Sequence, residues 1–270
     1  MLEYLTFTKM NGAGNDFVMV DNRARHYQLT NDQIARICDR HRGVGADGLI
    51  MLEPPGDGAD FQMRYYNADG GEVEMCGNGA RCFAKFAEST AGKSDQVRFG
   101  TPSGIIEAQL VGDLVQLAMG VPHGLRTELQ LEVAGQTLDA HFLNTGVPHV
   151  VVFVQDVERF PIIEAGRAIR YHQEFQPAGT NANFVQKTGS ERLRIRTYER
   201  GVENETLACG TGVVASALID SLLHGSGSPI TVRVEGGDDL QVDFARREET
   251  FSEVSLTGPA EFVFKGEIAI

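Results

Sequence analysis

The chain has 270 residues, 42% of them hydrophobic and 23% charged, with a formal net charge of -13 at pH 7. That length allows one large domain or two of ordinary size around a substantial core, and the composition is that of a globular chain rather than a disordered one. An acidic chain without a Lys/Arg-rich run lacks the basic face that phosphate neutralisation needs, so nucleic acid is disfavoured as a partner. The opening MLEYLTFTKMNG has no basic stretch leading into an apolar run, and no apolar segment approaches the ~20 residues that span a bilayer. The expectation is a cytoplasmic protein with no membrane partner.

In chain order, Leu5 to Thr8 and Phe17 to Val20 read as strands. Thr30 reads as the N-cap of a helix over 31–38, on which Cys38 lies beside Ile34 and Ile37 as a core residue. Gly43-Val44-Gly45-Ala46-Asp47-Gly48 fits the GxGxxG pattern, yet it follows a helix and precedes the strand-like Leu49 to Leu52. That is the reverse of a dinucleotide fold, so it is read as a turn. Phe61 to Tyr66 is the next strand. Cys76-Gly77-Asn78-Gly79 then opens a helix with Ala80, Phe83, Ala84 and Ala87 at helical spacing and a stop near Gly92. Strand-like segments at Val97 to Phe99, Ile105 to Leu110 and Leu114 to Met119 lead into Gly120-Val121-Pro122-His123-Gly124, the candidate junction between halves. Beyond it, His149 to Val154 and Leu193 to Tyr198 read as strands. Cys209-Gly210-Thr211-Gly212 opens a second helix, apolar nearly all round from Val213 to Leu223 and stopped at Gly225. A helix without a polar face must be enclosed, and a curved sheet wrapped around it would do so.

The two Cys-Gly-x-Gly turns belong to a repeat of about half the chain. Cys76 and Cys209 lie 133 residues apart, Val97 and Val232 lie 135 apart, and the offset drifts to 138 at Gly120 and Gly258. Upstream, Asn15-Asp16-Phe17-Val18 echoes Ala182-Asn183-Phe184-Val185 at an offset of 167, which implies a different loop arrangement in the first copy. Two copies at so long a period indicate a duplicated domain rather than a solenoid. The halves are assigned to residues 1–121, with the last strand (about 265–270) a candidate to rejoin them, and to residues 122–264.

Four cysteines without a CxxC pair suit neither a disulfide framework nor a common zinc site, and the ordinary reading of such residues is buried thiols. Cys82, six residues into its helix, fits that reading. Cys76 and Cys209 do not. Each is placed at a helix N-terminus, where unpaired N–H groups and the macrodipole favour thiolate chemistry. The N–H groups of Gly77, Asn78, Gly210 and Thr211 could bind a carboxylate, and duplication would aim both thiols at one ligand across an interdomain cleft. Stereo-inversion needs that arrangement: one thiolate removes an α-proton from one face while the other thiol delivers a proton to the opposite face. A thiol redox sensor or a non-catalytic ligand-binding protein is the rival from another class.

Gly14-Asn15-Asp16-Phe17-Val18, Gly43-x-Gly45-Ala46-Asp47-Gly48, Tyr66-Asn67-Ala68-Asp69-Gly70, Cys76-Gly77-Asn78-Gly79-Ala80-Arg81-Cys82, Tyr198-Glu199-Arg200-Gly201 and Ala208-Cys209-Gly210-Thr211-Gly212 together resemble the diaminopimelate epimerase family, in order over nearly the whole chain. The resemblance implies an α+β fold of two pseudo-symmetric halves. Each is a mostly antiparallel or mixed β-sheet barrel around a central helix, with the active site in the interdomain cleft. It further implies a homodimer without pyridoxal phosphate or metal, interconverting LL- and meso-diaminopimelate for lysine and peptidoglycan precursors. By motif, Cys76 and Cys209 would be the acid/base pair, and Gly77, Asn78, Gly210 and Thr211 would cradle the carboxylate of the reacting carbon. Asn15, Asn67, Asn181 and Arg200 would read the distal centre, while Glu199 would contact the reacting amino group with His149 near the thiols. The chain departs from the family in two places: many members carry Asn where this chain has Val147, and some carry Gln at the position of Gly48. A racemase of the same fold acting on proline or hydroxyproline is the nearest rival, and Arg200 with Asn67 and Asn181 favours a substrate with a distal amino-acid head.

Overall fold

The computed structural model describes residues 3–56, 58–92, 95–133 and 135–270. The chain divides into two compact units, residues 1–117 together with 258–270, and residues 118–257. The first unit contains β1 (Tyr4–Gly12), β2 (Asn15–Asp21), β3 (Gly48–Glu53), β4 (Phe61–Asn67), β5 (Glu72–Val73), β6 (Gln96–Thr101), β7 (Gly104–Val111) and β8 (Leu114–Ala118). It is completed by the C-terminal β18 (Glu261–Ala269) and by helices α1 (Asn31–Cys38) and α2 (Gly77–Ala91). The second contains β9 (His123–Val133), β10 (Gln136–Asn144), β11 (Pro148–Phe153), β12 (Asn181–Gly189), β13 (Arg192–Glu199), β14 (Asn204–Thr206), β15 (Ile230–Arg233), β16 (Asp239–Arg247) and β17 (Thr250–Pro259). Its helices are α3 (Ile162–Arg170) and α4 (Gly210–His224).

Both units follow one plan. The first sheet runs β18-β1-β2-β3-β4-β6-β7-β8, with β5 paired to β4. The second runs β9-β10-β11-β12-β13-β15-β16-β17, with β14 paired to β13. In each, two neighbours are parallel and the rest antiparallel: β2 with β3 and β4 with β6, then β11 with β12 and β13 with β15. Parallel neighbours need a crossover, and helices supply it. α1 and α3 pass behind the sheets, while α2 and α4 each contact at least six strands of their own unit and sit at the centre of its curl. The expected α+β class with a mixed sheet around a central helix is the observed one.

Local chemistry explains the helix limits. Thr30 closes a capping box with Gln33 at the start of α1. Gly92 and Gly225 end α2 and α4 in the left-handed region, at φ 64 and 71. Strand alternation gives each unit a core between its sheet and its outer helix. Val18, Val20, Leu49 and Met51 pack with Ile34, Ile37 and Cys38 of α1. Val150, Val152, Ala182 and Phe184 pack with Ile162, Ala165 and Ile169 of α3. Of the intervening residues, Phe17 and Ile50 lie against Gly79 of α2, and His149 and Asn183 against Gly212 of α4. Every residue of α4 from Gly212 to Ser221 is buried, as its apolar circumference requires.

The strand register corrects the upstream part of the repeat. Phe17 pairs with Gly48 and Leu49 with Tyr66; His149 pairs with Asn181 and Ala182 with Tyr198. Phe17 therefore corresponds to His149 and Gly48 to Asn181, at offsets of 132 and 133 that continue the spacing of the cysteines. The echo of Asn15-Asp16-Phe17-Val18 in Ala182-Asn183-Phe184-Val185, at an offset of 167, does not follow the register. It matches β2 to β12, whereas the counterpart of β12 is β3.

Candidate active site

Cys76 is the N-cap of α2 (φ -139, ψ 122) and Cys209 that of α4 (φ -123, ψ 102), each extended residue feeding a helix that opens with Gly-x-Gly. The two turns have different surroundings, each within its own unit.

In the first unit Cys76 is half-buried and the side chain beyond it, Asn78, is 3% exposed. A one-way chain of donors fixes that amide. Arg81 Nη2 donates to Asn78 Oδ1 (2.8 Å), Asn78 Nδ2 to Asn15 Oδ1 (2.6 Å), and Asn15 Nδ2 to Asp47 Oδ2 (2.9 Å). Neighbouring Asp16 is held by Arg40 through two 2.9 Å bonds and by Lys9 at 2.7 Å. Burial works against its charge, but the Arg40 and Lys9 hydrogen bonds win and hold its pKa down at about 2. Gly12 permits the hairpin of β1 and β2 to close on α2, since a Cβ there would lie 2.7 Å from Asn78 O. Asn67, exposed at the end of β4, accepts at Oδ1 from the Tyr65 hydroxyl (3.0 Å). Tyr65 explains Gly48. A Cβ at 48 would lie 2.6 Å from Tyr65 Cε2 and 2.4 Å from Tyr66 O, so the phenol fills the space a longer side chain would need.

In the second unit Cys209 is 9% exposed, and its Sγ lies 3.6 Å from Thr211 Oγ1. Thr211 is bound on two sides: His149 Nε2 approaches its hydroxyl at 2.9 Å, and Thr145 Oγ1 donates to its carbonyl at 2.8 Å. His149 is fully buried, and that burial, aided by the Arg200 charge, pushes its pKa down to about 3, so the imidazole is neutral. Glu199 is pushed above the ordinary carboxylate range by burial, opposed by a 2.9 Å bond from the Thr206 hydroxyl. Asn181 spends both ends of its amide on backbone, accepting from Arg200 N (2.8 Å) and donating to Pro148 O (2.9 Å). Arg200 Nη1 donates to Ala178 O at 3.0 Å.

Of the residues expected from sequence, Cys76, Gly77, Asn78 and Asn15 form one connected group. Cys209, Gly210, Thr211 and His149 form a second, and Asn181 with Arg200 a third next to Glu199. Sequence reasoning missed Tyr65, Asp47, Thr206 and Asn183. Asn183 carried a signal, being an amide inside the apolar Ala182-Asn183-Phe184-Val185. Val147 stands 132 residues beyond Asn15, at the corresponding place of the second unit, where an apolar side chain replaces the amide. Cys38 and Cys82 are buried, and burial pushes both thiols up to about 12. Among the described residues no group of three or more His, Cys, Asp or Glu side chains is placed to hold a metal ion, and no helix is long and apolar enough to cross a membrane.

Solved structures share this fold. A phenazine biosynthesis protein of the PhzF family from Bacillus anthracis matches with a TM-score of 0.75 over 100% of both chains at 16% identity. A hydroxyproline epimerase from Agrobacterium vitis, with bound trans-4-hydroxy-L-proline, matches with a TM-score of 0.72 over 98% of this chain and 91% of its own, also at 16% identity. The fold is thus the one these proteins share. Within that class, the diaminopimelate epimerase family model matches residues 7–124 and 141–263. The diaminopimelate epimerase of Aquifex aeolicus is 42% identical over 98% of each chain, and that of Chlorobaculum tepidum 43% identical over 97% of this chain and 100% of its own. The chain belongs to the diaminopimelate epimerase family, a family of isomerases.

Proposed function

We propose that this enzyme interconverts LL- and meso-diaminopimelate by passing the α-proton between Cys76 and Cys209. The observation that carries the reading is the repeated local geometry: at the same point of two copies of one plan, a cysteine caps a helix whose next residues are Gly-x-Gly. On this reading one cysteine, as thiolate, takes the α-hydrogen as a proton and becomes a thiol. The other, as thiol, gives its proton to the opposite face of the carbanion and becomes a thiolate, so charge and protons balance. The N–H groups of Gly77, Asn78, Gly210 and Thr211 would hold the reacting carboxylate and absorb the charge that develops on it.

Glu199, sited beside the Cys209 strand-turn-helix segment, would receive the reacting ammonium group. Arg200 supplies the fork that a distal carboxylate fits, and Asn15, Asn67 and Asn181 would serve the distal head with the second N–H and second lone pair that each amide keeps beyond its bonds within the protein. We further propose a cytoplasmic homodimer. Phe262, Val263 and Phe264, all exposed on β18, offer apolar surface suited to a second copy, which sedimentation would reveal.

The test is incubation with LL-diaminopimelate in deuterated water without added pyridoxal phosphate. Deuterium should appear at the α-carbon of the isomerised product and vanish in Cys76→Ala and Cys209→Ala. Isomerisation that persists in either variant, or that requires the cofactor, overturns the reading.

A further inference from the structure

The two cysteine turns rest on different floors. Beneath α2, a Cβ on Gly79 would meet Ile50 Cδ1 at 2.8 Å and the Phe17 ring at 3.5 Å. Beneath α4, a Cβ on Gly212 would meet Asn183 Oδ1 at 2.2 Å and His149 Cε1 at 3.4 Å. Phe17 and Ile50 correspond to His149 and Asn183 in the strand register, so one floor is hydrocarbon and the other is a buried polar chain.

The polarity of that chain can be worked out atom by atom. Asn183 is fully buried, and its amide faces two fixed partners: Val150 O at 2.9 Å from Nδ2, and the Thr197 hydroxyl at 3.0 Å from Oδ1. A backbone carbonyl can only accept, so the amide nitrogen must face Val150 and the amide oxygen Thr197. The second N–H of the same group then points at His149 Nδ1, 3.2 Å away. A nitrogen that faces a donor must be bare. The single proton of the neutral imidazole therefore sits on Nε2 and is donated to Thr211 Oγ1. With a lone pair so occupied, Thr211 has its one hydroxyl hydrogen left to give, and Cys209 Sγ lies 3.6 Å away.

We propose that Asn183 and Thr197 are positioning residues that lock His149 in its Nε2–H form, so that the Thr211 hydroxyl donates to Cys209 and stabilises its thiolate. The inference rests on the reading of Cys209 as an acid/base group. His149 acts here as a neutral, oriented donor and not as a proton acceptor. The donor chain that ends on Cys209 runs through His149 and Asn183, whose counterparts beneath α2, Phe17 and Ile50, have hydrocarbon side chains.

The first measurement needs no turnover. Nitrogen-15 NMR of the full-length wild-type chain, with the His149 ring assigned by its loss in His149→Gln, should show a protonated Nε2 and a bare Nδ1. A protonated Nδ1 overturns the proposal. The second follows the rate of iodoacetamide alkylation against pH in a Cys76→Ala background, where Cys38 and Cys82, held near 12 by burial, stay silent. Asn183→Leu and Thr211→Val should each raise the pH midpoint of Cys209 alkylation by about one unit, as expected for loss of one hydrogen bond to a charged group. Thr197→Val, which keeps the shape of the core, should raise it by less. Asn183→Leu should also release the tautomer, whereas Thr211→Val should leave it in place. Unmoved midpoints in Thr211→Val and Thr197→Val overturn the proposal even if Asn183→Leu does not fold. Neither readout depends on deuterium exchange, so failure of the epimerase reading would be seen separately.

Discussion

Lowering the pH from 7 to 5 should cost this protein about 2 kcal/mol of folding stability through His149 alone. Burial, with the Arg200 charge behind it, holds the imidazole at about 3 in the folded chain, against roughly 6.5 when unfolded. Between those values the unfolded chain binds a proton that the native state refuses. The contribution is fully present above about 6.5 and declines by roughly 1.4 kcal/mol for each pH unit below it, giving about 2 kcal/mol by pH 5. Asp16 does not confuse the measurement, because its pKa of about 2 places its own loss in more acidic solution. His141, also lowered by burial, acts in the same direction as His149 and is common to both proteins in the comparison. Urea denaturation of wild type and His149→Gln at the two pH values is the assay. The variant should be less stable at pH 7 yet lose about 2 kcal/mol less on acidification. Parallel losses in the two proteins would refute the argument, since they would mean that the imidazole is not held neutral.

Gly212→Ala should destabilise by about 1–3 kcal/mol through overpacking against Asn183 and lower kcat at least tenfold, whereas Gly77→Ala, whose Cβ meets nothing within 4 Å, should fold normally; thermal melts beside kinetics separate the two. Thr30→Ala removes the capping box of α1 and should cost about 1 kcal/mol in a denaturant titration while kcat stays unchanged. Arg200→Ala should lower kcat/KM on diaminopimelate by about a hundredfold, the worth of a charge-assisted pair of hydrogen bonds. A loss of less than threefold would favour a substrate with a single carboxylate.

The parts of this fold that were readable from sequence are those written in neighbouring residues. Cys-Gly-x-Gly followed by helical spacing marks both central helices, Thr30 with Gln33 marks the start of α1, and the uniform apolarity of α4 demands enclosure. The upstream half of the repeat was misread because identity matching follows residue type, while the sheet follows position. Phe17 and His149 share a place in the register, as do Ile50 and Asn183, and duplication has left them with opposite chemistry. The long hairpin of β9 and β10 went unread although Leu129, Leu131 and Val133 alternate with polar residues, because much of β9 is exposed and Thr127, Glu128 and Gln130 give it a polar look. Tyr65 was hidden for another reason: its partner is the missing side chain of Gly48, an interaction with space that no motif records. The candidate site residues were legible as types, but their hydrogen-bond directions come only from packed neighbours such as Val150 and Thr197.

The C-terminal strand β18 pairs with β1, and Arg81 of α2 donates from Nε to the carbonyl of Pro259 at 3.2 Å. Residues 118–257 are thus inserted between the two pieces of the first unit. On the ribosome the order of completion inverts the order of synthesis. The inserted unit has all its strands before β18 is made, while β1 waits with an open edge for a partner translated some 250 residues later. The half that is born first is finished last, and a premature stop in the final stretch would damage the N-terminal sheet rather than the one beside it in the message.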